Sequence, residues 1–134
     1  MQVLDVGVQA VALRSAANGI VITDRQGAII WVNPAFTTLT GYTPEDVMGK
    51  DPRILRSGRH AQSFYQNLWA TILADKVWNG EIINRRKDGS YYIEEMTITP
   101  VRAEGHDITH FIAIKQDVTE RKRVEKVLQV SEAR

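Results

Sequence analysis

Residues 84–95 read NRRKDGSYYIEE, and the Asp88-Gly89 pair within them is a strong signal for a β-hairpin. The loop type decides which side chains share a face of the sheet. A two-residue turn would pair Asn84 with Ile93, whereas a three-residue loop with a left-handed glycine would pair Asn84 with Tyr92. We expect the second, because it gathers one mainly apolar face: Trp78, Gly80, Ile82, Asn84, Tyr92, Glu94, Met96 and Ile98.

The next hairpin brings two opposite charges onto this inward face. A short loop near Glu104-Gly105 would pair Ile98 with Phe111. The same register places Glu94 directly opposite Lys115. Burying either charge alone would cost several kcal/mol, so we expect the two to pair with each other or with a polar ligand. The alternative is that Glu94 is solvated at a strand edge and that Lys115 extends its ammonium group to water.

Outside this region, the hydrophobic periodicity predicts an α+β domain. The predicted elements are an amphipathic helix at 3–13, strands at 19–23 and 28–33, short helices opened by Pro34 and by Thr43-Pro44, a longer helix at 61–74, strands at 78–86, 90–101 and 109–118, and a charged helix at 119–134. We divide the chain into an amino-terminal helix at 1–15, a central domain at 16–118 and a linker helix at 119–134.

Composition excludes several classes of protein. The 134 residues carry 17 basic and 16 acidic side chains, a net charge of +1, so no overall field favours nucleic acid or an anionic membrane. Without cysteine the chain forms no disulfide, thiolate metal site or cysteinyl cofactor adduct, which suits a reducing cytoplasm. No apolar run is long enough to span a bilayer. We expect a cytoplasmic domain with no nucleic-acid partner and no membrane insertion.

Three ordered blocks carry a resemblance to a known family. They read ITDRQGAIIWVNPAFTTLTGYTPEDVMGK, NRRKDGSYYIEEMTITPV and HFIAIKQDVTERK, and the likeness covers residues 16–122. Together they resemble the PAS sensor domains of bacterial signalling proteins. The resemblance implies a five-stranded antiparallel sheet with helices on one face around a small-molecule pocket, used as an input or dimerisation module.

Two flavin-binding groups of PAS domains are similar to this chain. Light-sensing LOV domains carry a G-x-N-C-R-F-L-Q motif; the corresponding stretch here is GKDPRILR, in which Pro52 replaces the photoreactive cysteine. A flavin-cysteinyl adduct is therefore ruled out. The redox PAS domain of nitrogen-fixation regulators, which binds flavin dinucleotide, is more similar, through Leu68-Trp69, Trp78-Asn79-Gly80 and NRRKD at 84–88. That resemblance implies that Trp78 and Asn84 line a cofactor site.

Glu94 and Lys115 depart from the LOV pattern. LOV domains have asparagine and glutamine at these two positions, where the neutral amides hydrogen-bond the flavin ring. We expect one of two roles for the charged pair: the two side chains recognise a ligand, or Glu94 and Lys115 pair with each other and close the pocket. A plain core role for Trp78 and a turn role for Asn84 are the structural alternatives. The full set of predicted binding residues is Asn84, Trp78, Glu94, Lys115, Arg53, Met96, Ile98, Tyr92 and Phe111.

The leading functional hypothesis is a sensory input domain that holds FAD or another flavin non-covalently for redox or oxygen sensing. One alternative is a ligand-free PAS scaffold for dimerisation and protein association, with Trp78, Tyr92 and Phe111 filling the cavity. The other is a sensor of a small carboxylate or aromatic metabolite, whose anionic group would meet Lys115 or Arg53.

The histidines do not suggest a metal site. His106 and His110 lie in a turn and a strand, where four residues span about 13 Å and do not converge on one ion. His60 begins the long helix, where a capping or exposed role is expected rather than haem ligation. No nucleophilic triad and no phosphate-binding glycine loop occurs, so we expect no catalytic activity.

The segment 117–121, DVTER, resembles the aspartate-x-threonine hinge at which PAS domains pass a signal into a following helix. We expect Asp117, Thr119 and Arg121 to act in this relay, with Asp117 capping the helix or pairing with Arg121. Ile112 and Ile114 alternate onto the outer face of the sheet, where the amino-terminal helix or a second subunit would cover them. We expect a homodimer through that helix, the outer face and the terminal helix, with an output domain downstream.

Overall fold

The computed structural model describes residues 6–105 and 107–132. Its elements are α1 Val6–Ser15, β1 Gly19–Asp24, β2 Ile29–Val32, α2 Pro34–Thr40, α3 Pro44–Val47, a 3₁₀ turn Pro52–Leu55, α4 Gln62–Leu73, β3 Trp78–Arg85, β4 Tyr91–Arg102, β5 Ile108–Asp117 and α5 Thr119–Glu132. The predicted order of helices and strands is confirmed. Predictions for residues 3–5, His106 and residues 133–134 fall outside the described residues.

The five strands form one antiparallel sheet in the order β2-β1-β5-β4-β3. The last strand in sequence, β5, therefore lies at the centre, and β2 and β3 are the edges. Helices α2 to α4 and the 3₁₀ turn pack on one face, which buries two apolar clusters. This is the α+β arrangement expected from the sequence. Among the described residues, no helix combines the length and the apolar character needed to cross a membrane.

The hairpin formed by β3 and β4 has the predicted three-residue loop. Asn84 pairs with Tyr92, and Gly89 has φ of 90°, a left-handed conformation that glycine adopts without a Cβ clash. The backbone N–H of Arg86 donates to the Ser90 carbonyl at 2.8 Å and closes the loop. The even-numbered residues of β3 and β4 consequently face the helices.

The register predicted for the β4–β5 hairpin is wrong by two residues. Glu94 pairs with Asp117, and Lys115 pairs with Met96. The difference arises beside the loop that contains Gly105, because the register shifts between Val101 and Arg102 at the end of β4, just before that loop. Because side chains alternate with a period of two, a two-residue slip keeps every side chain on its predicted face. Glu94 and Lys115 are therefore diagonal neighbours on the inward face.

Helix α3 ties the hairpin tip to the helical layer. The Thr43 side chain accepts a hydrogen bond from the Asp46 backbone, and Asp46 in turn accepts from the Thr43 backbone, which forms the predicted cap. Lys87 reaches from the hairpin to Asp46, with Nζ at 2.9 Å from Oδ2. The hydrogen bond from Lys87, with those from Thr43, lowers the pKa of Asp46 to about 2. The contact is exposed and fixes position more than it adds stability.

We expected the amino-terminal helix or a second subunit to cover the outer face of the sheet, but the described residues of α1, Val6–Ser15, pack beside α2 and leave Ile114 of that face exposed. None of these α1 residues is buried, and the helix lies beside α2, where Asn33 Nδ2 donates to the Leu13 carbonyl at 3.1 Å. The buried Asn33 side chain also accepts from the Ile20 backbone at 2.8 Å. Ile114, on the outer face, remains 43% exposed. Cover by a second subunit stays a prediction.

Residues 56–60 cover part of the free edge of β3. Ser57 Oγ donates to the Ile83 carbonyl at 2.7 Å, and the Ile83 N–H donates to His60 Nε2 at 2.8 Å. Since Nε2 accepts, the neutral imidazole carries its proton on Nδ1. The ring stacks on Phe64 at a centroid distance of 4.2 Å. Burial lowers the pKa of His60 from 6.5.

This geometry predicts that protonation of His60 makes the stability of the fold depend on pH. The unfolded imidazole takes up a proton as the pH falls below 6.5, while the folded one resists, so the free energy of unfolding should fall in that range. One proton sets a slope no steeper than about 1.4 kcal/mol per pH unit. Denaturant unfolding of wild type and His60→Gln between about pH 7.5 and about pH 5.5 measures the difference. Parallel profiles for the two proteins would contradict the assignment.

Candidate functional site

A cavity lies between α4 and the inward face of the sheet. Its volume is about 100 Å³, and its walls are mainly apolar. Six of the residues predicted to bind a ligand line it: Arg53, Asn84, Met96, Ile98, Phe111 and Lys115. The register of the sheet brings together the five from β3, β4 and β5, and the 3₁₀ turn adds Arg53.

Three other predicted residues do not line the cavity. The Trp78 indole lies against Gly80, where an added Cβ would come within 3.0 Å of it, and meets the Phe64 ring edge-on at 5.7 Å. This is the core-packing alternative for Trp78. Tyr92 is 1% exposed and Glu94 is fully buried, and both lie behind the cavity wall. The role of all nine residues in binding remains a prediction.

Glu94 is the centre of a buried polar cluster. Its Oε1 atom accepts hydrogen bonds from Asn84 Nδ2, from the Tyr92 hydroxyl at 3.2 Å and from Lys115 Nζ at 3.2 Å. The lysine is 4% exposed, so the ion pair is enclosed by protein. Burial, followed by the neighbouring Glu94 carboxylate, raises the pKa of Tyr92, which therefore stays a neutral donor.

Lys115 presents the cluster to the cavity. Its Nζ lies 3.2 Å from Glu94 Oε1 and 3.4 Å from Met96 Sδ, and an ammonium group has three donors. Asn84 is a further polar group on this wall. The arrangement places a cation and an amide beside a mainly apolar space, which is suited to a flat, mainly apolar ligand with hydrogen-bond acceptors on the edge that faces the sheet.

Sequence reasoning missed the helical wall of the cavity. Tyr65, Leu68, Trp69 and Ile72 of α4 line it, together with Arg56. The Arg56 guanidinium lies 3.7 Å from the centroid of the Tyr65 ring. The apolar face of α4 signalled that the helix covers something, but not what. Arg56 gave no signal, because its position depends on how residues 56–60 dock on β3.

The hinge between β5 and α5 is built around Asp117. Its Oδ1 accepts from the Thr119 backbone at 2.9 Å, and its Oδ2 lies 2.8 Å from Arg86 Nη2. Of the two predicted roles, Asp117 therefore caps the helix and does not pair with Arg121. Arg121 instead lies 2.9 Å from Glu95. Arg86 is a further residue that the sequence did not reveal.

The Thr119 hydroxyl also ties the hinge to β4. It accepts from the Ile93 N–H at 2.8 Å. The Val118 N–H donates to the Ile93 carbonyl at 2.8 Å. The start of α5 is thus hydrogen-bonded to the strand residue next to Glu94.

The two described histidines are engaged locally. His60 Nε2 accepts from Ile83, and His110 Nδ1 lies 2.8 Å from Thr109 Oγ1. Within residues 6–105 and 107–132, no group of three or more histidine, aspartate or glutamate side chains is placed to hold a metal ion. His106 lies outside this range.

Two curated relatives resemble the chain. A nitrogen fixation regulatory protein from Klebsiella oxytoca is 35% identical over 107 residues, which is 80% of this chain and 22% of the relative. A blue-light photoreceptor from Listeria monocytogenes is 31% identical over 111 residues, 81% of this chain and 44% of the relative. The chain therefore spans less than half the length of each.

A solved structure of an RNA-binding light-oxygen-voltage receptor has the same fold. It superposes with a TM-score of 0.83 at 28% identity and covers 94% of this chain and 37% of the other. The sequence model of the PAS domain family matches residues 17–120. This range contains the whole sheet and all the cavity residues. The chain belongs to the PAS domain family.

Proposed function

We propose that the cavity of this PAS sensory domain binds the ring of a flavin non-covalently and reports its redox state through α5. The observation that carries the proposal is the buried Lys115 side chain, which lines a mainly apolar cavity together with Asn84. The named relatives, a nitrogen fixation regulatory protein and a blue-light photoreceptor, support a signalling role.

The donor set fits a flavin, whereas the size of the cavity requires movement. Lys115 and Asn84 would meet acceptor atoms on the ring edge, and Met96, Ile98 and Phe111 would pack against its faces. A bound flavin would supply one- and two-electron redox chemistry. The volume of about 100 Å³ is below the ~300–1,000 Å³ usual for ligand pockets. Side chains at the α4 wall, such as Trp69, would have to shift outward.

The small cavity favours a second candidate, a ligand-free PAS module for protein association. In that case Glu94 and Lys115 pair with each other and close the pocket. A small anionic metabolite, held by Lys115 or by Arg53, is the remaining alternative. The Arg53 side chain is 66% exposed, so its attraction for an anion is screened by water.

Further parts of the proposal concern the whole protein. We place a sensory domain at 16–118 between an amino-terminal helix at 1–15 and a signalling linker helix at 119–134. The matched relatives extend well beyond the region they share with this chain, which supports an output domain elsewhere in the protein. We propose a non-catalytic cytoplasmic module that forms a homodimer. The exposed Val124, Val127 and Leu128 of α5 and Ile114 of the sheet support such an interface.

The relay would run from Glu94 to the hinge. Tyr92 donates to Glu94, and its ring lies under the Arg86 guanidinium at 4.6 Å. Arg86 pairs with Asp117, which caps α5 at Thr119. A ligand that draws Lys115 away from Glu94 would alter the first of these contacts and so bias the position of α5.

Filling the cavity should weaken flavin binding. Ala113→Leu adds three carbons to a residue of the wall, so we expect affinity for FAD to fall more than about tenfold. Ala70→Leu, on the exposed side of α4, is the matched control and should bind as wild type does. Flavin absorbance and fluorescence titration measure binding, and circular dichroism checks the fold. A wild-type chain that is colourless when purified and does not bind added FAD would refute the flavin proposal.

Removing the Thr119 hydroxyl should loosen the start of α5. Thr119→Val loses the bond from the Ile93 N–H, and we expect amide hydrogen exchange at Ile93 and in the first turns of α5 to quicken about fivefold or more. Exchange in the β4–β5 ladder should stay unchanged. Glu120→Gln, altered at an exposed neighbour, serves as the control. Equal exchange in both variants would show that the hydroxyl does not hold the helix.

A further inference from the structure

Two buried side-chain oxygens have no hydrogen-bond partner among the described residues: Glu94 Oε2 and the Tyr65 hydroxyl. They differ in position. Tyr65, near the start of α4, lines the cavity, whereas Glu94 lies behind its wall. The hydroxyl of Tyr65 is therefore an unused hydrogen-bonding group in the wall of the proposed binding site.

The Tyr65 ring is held by its neighbours. The Arg56 guanidinium carbon lies 3.7 Å from the ring centroid. Phe64 packs perpendicular to the ring at 5.2 Å, and His60 meets it edge-on at 6.1 Å. Contacts on several sides restrict rotation of the ring, so the hydroxyl stays in the wall and does not swing out to water.

Residues 6–105 and 107–132 offer no hydrogen-bond partner to this hydroxyl. A buried hydroxyl without a partner is unfavourable, and phenylalanine would fill the same space without that penalty. Burial raises the pKa of Tyr65, and the nearby Arg56 opposes this less strongly, so the phenol stays protonated at neutral pH. It is therefore available as a hydrogen-bond donor.

We propose that the Tyr65 hydroxyl donates a hydrogen bond to the ligand of the cavity from the helical wall, while Asn84 and Lys115 act from the sheet. The inference rests on the proposed ligand-binding function and narrows the ligand class. It requires a planar aromatic heterocycle with hydrogen-bond acceptors on the edge that faces α4 as well as on the edge that faces the sheet. A ligand with acceptors on one edge alone would leave a buried polar group unpaired.

The test compares Tyr65→Phe with Tyr91→Phe in the full chain. Tyr91 is 47% exposed and lies on the hairpin, so its variant loses the same hydroxyl outside the cavity. Riboflavin and FAD are titrated separately, because riboflavin presents the ring without phosphates. We expect Tyr65→Phe to bind both about tenfold more weakly and Tyr91→Phe to match wild type. We also expect the ligand-free Tyr65→Phe protein to melt at or above the wild-type temperature.

The outcomes separate this inference from the proposed function. If wild type binds flavin and Tyr65→Phe binds it with the same affinity, the role of Tyr65 is overturned and flavin binding remains in place. A clear drop in the melting temperature of ligand-free Tyr65→Phe would also overturn it, because the hydroxyl would then have a structural partner. If wild type binds neither riboflavin nor FAD, both the proposed function and this inference fail.

Discussion

The buried ion pair between Glu94 and Lys115 is the interaction on which the rest of this structure depends. A fully buried carboxylate is tolerated only when donors surround it, and here a lysine, an amide and a phenol converge on one oxygen. These donors come from β3, β4 and β5. The cluster formed by Glu94, Lys115, Asn84 and Tyr92 therefore links three strands in one register, and an intact cavity wall depends on that register.

One short stretch of β4 serves both the cavity and the exit helix. Glu94 points inward to Lys115, while its neighbours Ile93 and Glu95 engage α5 through Thr119 and Arg121. The alternation of a strand thus sets the proposed ligand contact and the hinge contacts one residue apart. If a change at Glu94 shifted β4, the shift would act on α5 directly through the contacts of Ile93 and Glu95.

The sequence was informative where chemistry is local. The Asp-Gly loop gave the pairing of Asn84 with Tyr92, and alternation gave the inward face, because both depend on neighbouring residues. The register between β4 and β5 was missed, because neither the irregularity between Val101 and Arg102 nor the position of the β4–β5 loop has a clear signal in the local sequence. Arg56, Arg86 and Tyr65 were missed for a different reason. Their roles come from packing between segments distant in sequence, and surface-like residues carry no periodic signature of it.

The most direct test is a double-mutant cycle on the buried pair. The free energy of unfolding is measured for wild type, Glu94→Gln, Lys115→Met and the double variant. If the two charges compensate each other in the interior, each single change leaves a partner unpaired. The summed losses of the single variants should then exceed the loss in the double variant by more than about 1 kcal/mol. Additivity within about 0.5 kcal/mol would contradict the account.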